Sequence, residues 1–152
     1  MKITALFIAM FLMATCDATF ARESLAWSYE ALTEGADLIV IAHPTAVLDT
    51  HKETVFPNIF QNEKPVPGIV MEATLEILSV LKGTSEKKTI VLQYFREPEG
   101  TNSLEGPRVL SFDPAKRNCY LMFLKRDKDG RYSALSGQTD PADAVKDIGN
   151  SP

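Results

Sequence analysis

The chain has 152 residues, 45% of them hydrophobic and 24% charged, with 16 basic and 20 acidic side chains and a net charge of −4. A length of this order suits one domain with one sizeable core. A small acidic surplus without a basic patch excludes a nucleic-acid partner, which needs positive charge to displace counterions from phosphates.

Lys2 precedes an apolar stretch, Ile3 to Ala14, in which Thr4 alone is polar, and small residues lead to Thr19-Phe20-Ala21. A short positive end, an apolar core too brief to span a bilayer and a small-residue exit predict a secretory signal peptide over 1–21. The mature domain is then 22–152, secreted or periplasmic, with a cut after Ala18 as the alternative to Ala21. Cys16, after Met13-Ala14-Thr15, offers a second route, a lipid anchor. Met and Thr fit that motif less well than a leucine and a small residue would. If Cys16 leaves with the signal, Cys119 stands alone and no internal disulfide can form. No apolar run after residue 21 reaches membrane-spanning length.

Residues 24–35 read as a helix, with Ser24 as N-cap and Gly35 just past the end; Leu25, Tyr29, Leu32 and Ala36 share one face. Trp27 lies off that line and is placed at the rim of the core. The β-branched run 37–43 predicts a strand that meets Pro44 at a bulge or bend and resumes at 45–48. Residues 49–67, polar and punctuated by prolines, read as a long loop. The alternation over 69–77 is the clearest in the chain. At Leu78, Val80 and Leu81 it shifts register, as for a strand that bends and is covered on both sides. Gly83-Thr84-Ser85 turns the chain and 89–95 returns.

A second long loop is expected at 97–107. Residues 119–125 and 131–136 form a hairpin around Asp127-Lys128-Asp129-Gly130. Asp140, Pro141 and Gly149 sit where a helix would start and stop, predicting a short C-terminal helix. Strands joined by turns and loops exclude a doubly wound parallel sheet. The fold class is mainly β (α+β): a small five-stranded OB-like Greek-key barrel with an N-terminal and a short C-terminal helix. Leu75, Ile77, Tyr120, Met122 and Leu124 are its predicted core, and Cys119, inside an apolar strand, is read as a buried thiol.

Three segments carry a resemblance: Ala36-Asp37-Leu38-Ile39-Val40-Ile41-Ala42, then Leu75-Glu76-Ile77-Leu78-Ser79-Val80-Leu81-Lys82-Gly83, then Tyr120-Leu121-Met122-Phe123-Leu124 followed by Asp129-Gly130-Arg131-Tyr132. In order and spacing these resemble the barrel of the tissue inhibitors of metalloproteinases and the related netrin-type modules, including bacterial secreted relatives, over about residues 36 to 136. The resemblance implies the barrel. That family's inhibitory chemistry depends on a cysteine pair at the mature N-terminus, whose first residue chelates zinc through its amine and carbonyl. No Cys-x-Cys exists here and Arg22 or Thr19 would be terminal, so no inhibitory residue carries over.

His43, Asp49 and His51 are the histidine constellation that could hold a metal, at a spacing that matches no standard zinc motif. Asp127-x-Asp129-Gly130 is better read as a hairpin than as a calcium loop, because Arg131 stands where an oxygen ligand belongs. Ser136 is a turn and cap residue, with no base near it in sequence. No catalytic residue and no cofactor is assigned. The expected function is a non-enzymatic binding or interaction module for an unknown protein or small ligand. Its surface is formed by the long loops with Phe56, Phe60, Tyr94, Phe95 and Arg96; of the adjacent Tyr94 and Phe95, one must fill the barrel. The alternatives are a secreted metal-dependent hydrolase using His43, Asp49 and His51, and a protease-inhibitor-like protein without the chelating cysteine.

Overall fold

Strands make up most of the described residues. The computed structural model describes residues 27–61, 63–101, 110–136 and 144–150; the expected signal peptide, with Cys16, Ala18 and Ala21, lies outside them. A short helix α1 (Tyr29–Gly35) leads into β1 (Leu38–Gln61), β2 (Lys64–Lys82), β3 (Thr89–Arg96), β4 (Asn118–Arg126), β5 (Tyr132–Ala134) and β6 (Val145–Asn150), with a 3-10 turn Pro114–Lys116 before β4. The sheet order is β1-β2-β3-β5-β4-β6, and β1 also pairs with β4. Five strands therefore close into a ring, and β6 continues along the edge of β4 where β5 leaves off. The β3–β5 contact is parallel and consists of one bridge, Leu92 to Tyr132; the other pairings are antiparallel.

Inside the ring, Val40, Ala42, Ala73, Leu75, Leu92, Met122 and Leu124 are fully buried. Tyr120 joins them and Ile77 is half-buried, so the sequence-derived core points inward as expected. A second cluster lies outside the ring: Leu32 and Ala36 pack with Ile39, Phe123 and Ala144. Strand β4 is thus covered on both faces, which explains its continuous apolar run and the burial of Cys119.

The helix starts later than the sequence implies. Ser28, not Ser24, is its N-cap, its Oγ accepting from the Ala31 N–H at 3.1 Å; Ser24 and Leu25 lie outside the described residues. Tyr29 is more than half exposed, and its ring lies tilted against Phe123 at 6.1 Å between centroids. Trp27 is also largely exposed. At the far end of α1, Lys82 donates to the carbonyls of Thr33 and Glu34, tying the helix to the end of β2. The expected bulge at Pro44 is present as a register shift between Pro44 and Ala46.

Three expectations are corrected. The expected loop 49–67 is not a loop: residues 49–61 belong to β1 and 64–67 to β2, and the two strands run on past the ring as a two-stranded arm. Beyond the Glu53–Ile69 pair neither strand has another neighbour among the described residues, so each has an edge where an N–H can be absent. Exposed Pro57, Pro65 and Pro67 are tolerated there. Leu78, Val80 and Leu81 are exposed rather than covered, because past Ile77 strand β2 overhangs β3. Finally, 145–150 is a strand, not a helix. It pairs with 118–122 of β4, whose outer edge would otherwise leave backbone groups unmet. Asp147 fixes it, accepting from Asn118 Nδ2 at 2.7 Å and from the Gly149 N–H at 2.8 Å.

Candidate functional site

Of the sequence-derived candidates, Phe56 and Phe60 fall on the arm, and Asp49, His51, Phe95 and Arg96 lie at its foot. Phe56 is buried at its base, packed with Val66 and edgewise against Phe95 at 6.0 Å. Across the ribbon lies Gly68, where an added Cβ would sit 3.1 Å from the Phe56 ring, so a side chain there would make the ring give way by a few tenths of an ångström. Phe56 and Phe95 therefore brace the arm. Phe60, near the tip, is 59% exposed, and Val55 and Leu48 along β1 are about as open.

At the foot of the arm, β1 slips register between Asp49 and Glu53, with His51 in the left-handed region at φ 54°. Asp49 holds this bulge. Its Oδ1 accepts from the His51 N–H at 2.8 Å and its Oδ2 from Arg96 Nε at 2.7 Å. Thr50 Oγ1 donates to the Val70 carbonyl at 2.7 Å, and Arg96 Nη1 to the Glu97 carbonyl at 2.9 Å. The His51 N–H is the main cause that holds the Asp49 carboxyl below the usual carboxylate range; burial opposes it, and the Arg96 guanidinium adds to the lowering.

Of the adjacent Tyr94 and Phe95, it is Tyr94 that fills the ring. It is buried, its ring stands edge-on to Phe112 at 5.3 Å, and Phe112 in turn meets Tyr120 at 5.1 Å. Burial, with Asp49 nearby, pushes the Tyr94 hydroxyl up to about 12. Phe112 comes from the segment before the 3-10 turn, and no sequence pattern marked it as core.

Of the histidine constellation, Asp49 and His51 meet, with His51 Nδ1 3.4 Å from Asp49 Oδ1, and His43 lies apart. His43 faces Glu76 across the strand pair at 3.5 Å, and its Nδ1 is buried without a hydrogen-bond partner. Asp49 and His51 lie six or more residues further along β1, about 20 Å at strand spacing. Among the described residues no group of three or more His, Cys, Asp or Glu side chains is placed to hold a metal ion.

The Asp127–Gly130 hairpin is satisfied by its own bonds. Asp127 Oδ1 accepts from the Asp129 and Arg131 N–H groups, and Gly130 takes φ 81°. Arg131 reaches across to Glu72 at 3.0 Å, a link not legible in the sequence.

No protein-family model matches this chain, and no curated protein matches it. Among the described residues no helix is long and apolar enough to cross a membrane.

Proposed function

We propose that this chain is a secreted or periplasmic, non-enzymatic interaction module built as a small OB-like Greek-key barrel, and that its contact surface is the β1–β2 arm. The barrel reading draws on the strand order, in which a parallel β3–β5 contact closes the ring. It agrees with the resemblance to netrin-type modules. The observation that carries the contact surface is the arm itself: a projecting ribbon with an exposed aromatic near its tip and a braced base. Unpartnered apolar side chains on a braced projection are what a partner can bury at little cost in ordering. Phe60 is the anchor in this reading, while Phe56, Phe95 and Arg96 position it.

The test is site-specific photocrosslinking in the exported fraction of the producing cell. A crosslinker at position 60 should yield one discrete adduct, absent when the crosslinker replaces Lys128 and abolished by Val55→Asp in a folded chain. Identical adducts at positions 60 and 128, or none at 60, would remove the arm as the contact surface.

A further inference from the structure

The ring is nearly open at one seam. Strand β3 pairs with β2 over 89–96, but on its other edge it has one bridge, Leu92 to Tyr132. Residues 89–91 therefore have no strand beside them on that edge among the described residues. A groove of about 570 Å³ lies there, between the β3 edge, the 84–87 turn and the β4–β5 hairpin, within the range of ligand sites. It sits at the opposite end of the β2–β3 hairpin from the arm.

The groove also holds an uncommitted cation. Arg131 is spent, because its guanidinium is shared among Glu72, Asp129 and Asp127. Arg126 makes no ion pair among the described residues; its guanidinium stands 6.0 Å from the Tyr132 ring centroid. An aromatic face orients a guanidinium without using its N–H donors, so the fork remains available to a carboxylate. Lys87, on the facing turn, likewise has no carboxylate partner among the described residues, and Ser85 shapes that turn by donating to the Lys87 carbonyl at 2.8 Å. Of the two carboxylates lining the groove, Asp129 is held by Arg131 at 3.2 Å and Glu86 stands beside Lys87 on the turn, so Arg126 and Lys87 are the lining cations without a carboxylate partner among the described residues.

We infer that this groove binds an extended acidic peptide, which adds as a strand to the open edge of β3 at residues 89–91 and places carboxylates against Arg126 and Lys87. An open strand edge offers donors and acceptors at strand spacing, which an extended backbone matches. The unpaired cations select acidic side chains from the sequences that could pair there.

The test uses the full chain and a capped hexapeptide of alternating valine and glutamate. Its controls are an alternating valine–lysine peptide and a valine–glutamate peptide N-methylated at alternate residues, which cannot form the ladder. The acidic peptide should bind saturably with Kd at or below about 1 mM and slow amide exchange at 89–91, and neither control should bind. Arg126→Met, whose main-chain bond to Asp37 is untouched, should weaken binding about tenfold, as for loss of a charge-assisted fork. Lys87→Glu, on the exposed turn, should weaken it several-fold and keeps the charge requirement testable if Arg126→Met does not fold. Equal binding of the N-methylated peptide, or competition by inorganic phosphate with no slowing of exchange at 89–91, would make this a plain anion site and overturn strand addition. Absence of saturable binding would overturn the site altogether.

Discussion

Asp49 does two jobs with its two oxygens, holding the bulge through the His51 N–H and the foot of the arm through Arg96. Both partners favour the ionised form, so its carboxyl titrates lower in the folded chain than in the unfolded one. The linkage sign follows: its stabilisation is fully present above the unfolded value of about 3.9 and is lost as pH falls through the folded value. Asp49→Asn keeps an oxygen for the His51 N–H but removes the ion pair. In thermal melts from about pH 6 to pH 2, the variant should start less stable and lose less with acid than the parent. Parallel pH profiles would show that ionisation of Asp49 contributes nothing to stability. At this scale the inward residues of β2 and β4 were legible, because Leu75, Met122 and Leu124 lie on simple alternation. Alternation could also say that Tyr94 and Phe95 face opposite ways. It could not say which faces inward, because that depends on the Met71–Tyr94 register, a long-range fact.

The arm was invisible as an element for a related reason. A strand is recognised by burial of one face, and beyond Glu53 the ribbon buries little besides Phe56 and Val66. Its prolines, which argue for a loop in a central strand, are harmless on a free edge. The C-terminal strand was misread because Asp140, Pro141 and Gly149 carry helix punctuation, whereas the open edge of β4 decides the outcome for 145–150. If the Phe56 cluster braces the arm, truncation should act locally. Phe56→Ala removes a side chain whose loss from a packed site costs about 3–5 kcal/mol. Amide exchange should therefore quicken across 53–68 while the β4 amides keep their protection. Uniform quickening over the whole sheet would mean that arm and ring unfold as one unit and that the arm is not separately braced.

At the level of the whole molecule, the ring is held by contacts far apart in sequence. Strand β1 meets β4 from Leu38–Leu124 to Ala42–Tyr120, whereas closure on the other side rests on the short β5 and the Leu92–Tyr132 bridge. Gly83 helps set this geometry where β2 leaves the ring. At φ 82° its missing Cβ lets the chain pass directly over the Asp37 carbonyl, where any side chain would collide with backbone. The seam should then be the weakest joint of a cooperative ring. Tyr132 is the test, since it is buried in the ring core and supplies the bridge. Tyr132→Ala should lower global stability by about 3 kcal/mol or more through lost burial and the cavity left behind. Amides of β1, β2 and β3 should then exchange at the faster rate of global unfolding, because closure through β5 holds the ring together. If instead the variant loosens only 132–134 while β1, β2 and β3 keep full protection, the sheet stands without its closure and the ring is not the unit that folds.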